Sequence, residues 1–134
     1  MSTVPATGRR PSSKSRSTVG LMSAMASSSV HHLAICQAAL GSDRAISTIL
    51  GVSPSQVSRW RRGQLPDPDN ADRLAGLALV VEMLARWLDP GVVDGWLQGS
   101  HAHLGDRSPA YMIGEGLVAE VIGVIEAEKA GVYA

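Results

Sequence analysis

The chain has 134 residues, a length that holds one domain or two very small ones and excludes a large enzyme built around a deep cleft. Hydrophobic residues make up 45% and charged residues 18%, enough apolar surface for a core, which excludes a chain disordered throughout. The formal net charge is +0, yet 8 basic residues stand against 1 acid before Pro66 and 4 against 11 after it, a division that predicts two surfaces with different partners, one of them polyanionic.

Aromatics are only 4%, with no Phe, so the core must be built from small aliphatic side chains that suit closely packed helices. The expected fold is all-α. A single cysteine, Cys36, cannot form an internal disulfide or hold a structural zinc, and the cytoplasm is the expected compartment. Arg9, Arg10, Lys14 and Arg16 precede Gly20 to Ala26 in an imitation of a signal peptide, but the apolar run is too short and too interrupted to serve as one. No stretch approaches the roughly 18 apolar residues of a membrane span.

Residues 1–29 are rich in Ser, Pro, Gly, Arg and Lys without a sustained period, and read as a disordered basic arm that either touches DNA phosphates or is inert. From Val30 to Leu40, a stripe of Val30, Leu33, Ala34, Gln37 and Ala38 predicts a first helix stopped by Gly41. Ser42 or Asp43 can cap a second helix, with Ala45, Ile46, Ile49 and Leu50 on its apolar face and Gly51 ending it.

Ser53 is a good N-cap and Pro54 suits a first helical position, so a third helix starts at Pro54 and stops at Gly63. Val57 and Trp60 point inward, leaving Ser55, Gln56, Ser58, Arg59, Arg61 and Arg62 outward. Helix, glycine turn and polar helix between about Asp43 and Gly63 is the pattern that docks in a major groove. Gln56 and Arg59, one turn apart, have side chains able to read adenine or guanine edges. Ser53, Ser55 and Ser58 beside them, with Arg61 and Arg62 at the helix end, complete the DNA-binding set, suited chiefly to phosphate oxygens. The stretch resembles the helix-turn-helix of Xre/Cro-type regulators, with Ile46, Leu50, Gly51, Val52, Val57 and Trp60 at its packing positions. Ser47 stands where that family commonly has Ala.

Pro66 and Pro68 mark a linker, after which Asp69 or Asn70 can cap a long helix reaching about Leu88. Leu74, Leu77, Ala78, Val81, Leu84 and Leu88 form one stripe, and Leu79, Val80, Met83 and Trp87 a second. A helix apolar on two sides lies between layers or forms part of a dimer interface. A short helix over Pro90–Leu97 with Val92, Val93, Trp96 and Leu97 inward, the loop through Arg107, and another short helix from Ser108 and Pro109 to Ile113 follow. Gly114 and Gly116 break it, and a last helix from Leu117 to Lys129 directs Leu117, Val118, Val121, Ile122 and Ile125 inward and Glu120, Glu126 and Glu128 outward.

Trp96-Leu97, the turn His103 to Asp106, Ser108-Pro109, the Gly116 break, the apolar last helix and the terminal Gly131 to Ala134 resemble the toxin-binding domain of the Xre/MbcA/ParS antitoxin family. Asp106 departs from it, since the turn often carries a second Gly there. The resemblance implies an antitoxin that binds a RES-domain, NAD-consuming toxin and represses its own operon, with Gly131, Val132, Tyr133 and Ala134 entering the toxin's active-site entrance. The domains expected are the arm at 1–29, the helix-turn-helix at 30–66, and a helical dimerisation and toxin-binding unit at 67–134. Operator DNA, the toxin and a second copy of the chain are the expected partners; a stand-alone repressor using its second half to dimerise is the alternative. No catalysis, cofactor or metal is expected. Cys36 near His31 and His32 reads as a buried structural thiol, and His101, His103 and Asp106 lack a fixed ligand set.

Overall fold

The computed structural model describes the backbone of residues 3–131 and side chains from Gly20 onward, residue 23 excepted. Within it the chain forms seven α-helices, with no strand among the described residues: α1 (Thr3–Leu40), α2 (Asp43–Leu50), α3 (Pro54–Arg61), α4 (Pro68–Ala85), α5 (Val93–Gln98), α6 (Pro109–Gly114) and α7 (Val118–Lys129). Two 3₁₀ turns, Pro90–Val92 and Ala102–Leu104, lie on either side of α5.

The caps follow from the sequence. Ser42 Oγ accepts from Ala45 N at 3.1 Å, Ser53 Oγ from Gln56 N at 3.1 Å and Ser108 Oγ from Tyr111 N at 3.0 Å, each satisfying a helix N–H that has no intrahelical partner. Asp67 caps α4, accepting from Asn70 N at 3.3 Å, so that Pro68 is the first helical residue. The start therefore falls two or three residues before Asp69 or Asn70.

α4 is the centre of the fold, packed against α1 along one side and α7 along the other, with α2, α5 and α6 also touching it. The predicted stripe Leu74, Leu77, Ala78, Val81 and Leu84 is buried, with Leu88 packed at its edge. Of the second stripe, Val80 is buried, Met83 is half-buried, and Leu79 and Trp87 remain exposed. Buried residues from α1 through α7 join in one cluster, so the helix-turn-helix and the acidic half share a core.

Three inward faces differ from the sequence reading. On α1, the buried residues are Ser29, Leu33 and Cys36, while Val30, Ala34 and Ala38 are exposed. The Ala-rich sequence offers two stripes of similar apolarity, and the one containing Leu33 and Cys36 wins because α4 covers it. The helix also continues in front of its apolar stripe, and the sequence boundary at residue 29 falls inside it. Ser29 and His32 line a groove together with Met25, Leu65 and Ala71, a turn of packing that Ser and Ala hardly signal. In the segment after α4, Val92 is half exposed, because the 3₁₀ turn of Pro90–Val92 shifts the register and leaves Val93 and Leu97 facing the core. On α7, Val121, Val124 and Ile125 are buried and Leu117 is exposed as the residue preceding the helix.

α6 ends at Gly114, one residue beyond the expected Ile113. A Cβ there would stand 2.6 Å from the backbone oxygen of Ile49, so its missing side chain lets α6 rest directly on the end of α2.

Candidate functional site

The helix-turn-helix is assembled from both sides of the Gly51 turn. Gly51 has φ 73° and ψ 32°, a left-handed conformation costly to residues with a Cβ, and its N–H donates to Ser47 O at 2.8 Å. The chain thus turns sharply into Ser53 and α3. Val57 and Trp60 are buried on the inner side of α3. Truncating a core Trp typically costs about 3–5 kcal/mol, far above what helix propensity contributes to eight residues, so tertiary contact holds α3 in place. Ser47 is buried, and its hydroxyl donates to Arg44 O at 2.9 Å, which accommodates the polar residue at a position suited to Ala.

On the outer side, Ser53, Ser55, Arg59 and Arg62 are exposed and Gln56 and Ser58 half-buried. Ser53 Oγ also lies 3.1 Å from Ser55 Oγ, and Arg62 Nη1 donates to Ser58 Oγ at 3.1 Å. Arg59 has no ion pair among the described residues. The structure therefore brings Ser53, Ser55, Gln56, Ser58, Arg59 and Arg62 onto one short helix.

Arg61 is used differently. Its guanidinium grips both carboxylate oxygens of Asp43, with Nη1 to Oδ2 at 2.5 Å, and donates to Gln37 Oε1 at 3.2 Å. Hydrogen bonding from Arg61 holds the Asp43 carboxyl below the ordinary aspartate range against the opposite pull of partial burial. Arg61 thus ties α3 to α2 and α1, where the sequence suggested a phosphate contact. Gln37 falls on the stripe expected to face inward; only its partner across 24 residues reveals its role. Arg44, exposed in the first turn of α2, is a further cation near this surface that the sequence reading left without a role.

At the other end of the molecule, the loop after α5 is pinned to the last turn of α7. His101 Nδ1 stands 3.4 Å from Glu128 Oε2, Trp96 Nε1 donates to Glu128 Oε1 at 3.4 Å, and the Trp96 and His101 rings are 4.7 Å apart. Glu128 consequently faces a partner inside the fold rather than solvent. The turn closes with His101 N donating to Arg107 O at 3.1 Å and Asp106 N to His101 O at 2.9 Å, and Gly105 and Asp106 are both left-handed, with φ 67° and 63°. That conformation gives a physical reason for glycine at the position Asp106 occupies. Gly131, with φ 75°, follows Ala130, the C-cap of α7; Val132, Tyr133 and Ala134 lie outside the described residues.

Cys36 is fully buried, and burial, reinforced by the Glu82 charge, pushes its thiol up to about 12. It is therefore not a ready nucleophile. Among the described residues no three His, Cys, Asp or Glu side chains gather as a metal site, and no helix is long and apolar enough to cross a membrane.

No protein-family model matches the chain. Over 89 residues it is 33% identical to the mycobacterial cidal antitoxin MbcA of Mycobacterium tuberculosis strain H37Rv, an alignment covering 66% of this chain and 79% of the relative. MbcA of Mycobacterium bovis matches to the same extent. This chain belongs to the MbcA antitoxin family. A chain of the crystal structure of the M. tuberculosis MbcT–MbcA toxin–antitoxin complex superposes with a TM-score of 0.62 and 26% identity, over 84% of this chain and 96% of that one. The MbcA likeness thus extends from sequence to fold and spans most of both chains. It makes the protein an antitoxin of a toxin–antitoxin system.

Proposed function

We propose that this protein neutralises a RES-domain, NAD-consuming toxin by binding it, and represses its own operon through the helix-turn-helix, with no catalysis or cofactor of its own. The observation that carries the first half is the likeness to a chain of the MbcT–MbcA complex over most of its length. Toxin contact falls to the acidic half, where a small apolar tail, Gly131 to Ala134, follows a helix carrying Glu120 and Glu126 on exposed positions. Such an end suits a cationic pocket that handles a phosphate-bearing dinucleotide.

Operator binding falls to α3. Gln56 and Arg59 read base edges, Ser53, Ser55, Ser58 and Arg62 fix the helix on the phosphates, and pairing of two copies supplies the second half-site. An exposed Arg59 with no ion pair among the described residues, on a helix held by Trp60 from behind, supports this assignment. Co-expression of the full chain with a RES-domain protein from a neighbouring reading frame tests the reading. A stable complex with NAD consumption suppressed is the expected result. A toxin that neither binds nor is silenced, with operator binding intact, would leave a stand-alone repressor instead.

A further inference from the structure

The last turn of α7 carries an acid where the negative end of a helix disfavours one. Glu128 is nevertheless turned back onto the fold: its Oε1 accepts from Trp96 Nε1 at 3.4 Å, and its Oε2 lies 3.4 Å from His101 Nδ1. Both partners stand on fixed supports. Trp96 belongs to α5, whose Val93 and Leu97 are buried in the core, and its ring lies 4.7 Å from that of His101. His101 is held by its backbone, donating to Arg107 O at 3.1 Å and accepting from Leu104 N and Asp106 N at 2.9 Å each. Glu126 and Lys129, in the same turn, are exposed and have no ion pair among the described residues. Glu128 is thus the side chain that ties this turn down.

The residues assigned to the toxin begin at this turn. Gly131 N–H donates to Glu128 O at 3.0 Å, so Gly131 leaves the helix from a position that Glu128 fixes, and its φ of 75° sets the direction of departure. We propose that Trp96, His101 and Glu128 form a clamp that aims residues 131–134 at the toxin's entrance. All three are then positioning residues for neutralisation, acting through the tail rather than by touching the toxin. The proposal rests on the role already given to that tail. A residue advances about 1.5 Å in a helix and about 3.4 Å when extended, so unwinding residues 128–130 would displace the start of the tail by about 6 Å. Four tail residues span at most about 14 Å. A shift of that size misplaces nearly half of the inserted length, and a loose turn must also be ordered when the toxin binds.

The test is inhibition of NAD consumption by a RES-domain protein from a neighbouring reading frame, titrated with the full chain. Glu128→Ala, which empties the clamp, should raise the inhibition constant at least about tenfold, and Trp96→Phe, which removes only the N–H donor, at least about fivefold. Glu128→Gln should stay within about threefold of the parent, since its amide oxygen still accepts from Trp96 and its amide nitrogen donates to the other tautomer of His101. Hydrogen exchange of the free chain gives a reading without toxin. The Ala130 and Gly131 amides, bonded to Glu126 O and Glu128 O, should lose protection at least about fivefold in Glu128→Ala and keep it in Glu128→Gln. Circular dichroism establishes folding, and Trp96→Phe carries both readouts should Glu128→Ala fail to fold. Unchanged exchange would overturn the proposal. So would Glu128→Gln inhibiting as weakly as Glu128→Ala, which places the Glu128 charge on the toxin itself. An undiminished Glu128→Ala beside an inactive chain ending at Ala130 overturns the clamp and leaves the tail's role standing. Full inhibition by the chain ending at Ala130 overturns that role and the clamp with it.

Discussion

The Arg61 guanidinium closes on the Asp43 carboxylate across the mouth of the helix-turn-helix, joining the last residue of α3 to the first residue of α2. The two side chains are 39% and 28% exposed, so solvent screens the pair and its contribution is about 0.5–1 kcal/mol. The folded state holds Asp43 below its ordinary range, so this stability is present above the unfolded value of about 4 and lost as the pH falls through the folded one. Asp43→Asn should therefore destabilise the chain at pH 7 in urea unfolding and approach the parent near pH 2. A penalty that persists unchanged in acid would contradict this account of the pair.

Because Arg61, although exposed, is engaged by Asp43 and Gln37, its loss should not resemble the loss of a phosphate contact. Arg62→Ala should weaken binding to every operator sequence and lower the salt slope by about one. Arg59→Ala and Gln56→Ala should instead relax sequence choice, while Arg61→Ala lowers stability and leaves the slope near that of the parent. Salt titrations in a gel-shift assay separate the three behaviours, and an Arg61→Ala slope as altered as that of Arg62→Ala would return Arg61 to the phosphates.

The close seat of α6 on α2 gives a paired prediction. Gly114→Ala must push a methyl into the Ile49 carbonyl and should cost about 2–3 kcal/mol, the upper range for overpacking. Gly123→Ala, inside α7 with nothing within 4 Å, should gain about 0.5–1 kcal/mol by restricting the unfolded chain. Chemical denaturation of both variants checks the contrast.

Asp106 occupies a left-handed position normally suited to glycine. Asp106→Gly should leave stability unchanged or raise it by up to about 1 kcal/mol, whereas a β-branched Val there should cost at least about 1 kcal/mol. A tolerated valine in thermal unfolding would show that the turn does not need this conformation.

What could be read from the sequence was what local chemistry decides. The caps at Ser53 and Ser108, the turn at Gly51, and the burial of Val57 and Trp60 follow from residue type and spacing. The long apolar stripe of α4 was equally plain, because Leu74, Leu77, Val81 and Leu84 leave little choice of face. Illegible were matters settled by distant partners. Which side of α1 turns inward depends on α4; the roles of Gln37 and Glu128 depend on residues 24 and 32 positions away. That Gly114 also makes room for the Ile49 carbonyl was hidden, because that carbonyl belongs to α2. Within the candidate DNA surface, spacing found the polar face of α3 but could not separate Arg61, paired with Asp43, from Arg59, which has no ion pair among the described residues.

Toxin neutralisation is tested most directly by growth of cells expressing a RES-domain toxin together with either the full chain or a chain ending at Ala130. The full chain should restore growth and keep cellular NAD at its normal level. The shortened chain, still folded and still bound to its operator, should restore neither. Equal protection by both chains would contradict the role given to Gly131 through Ala134, and absence of protection by the full chain would contradict toxin neutralisation itself.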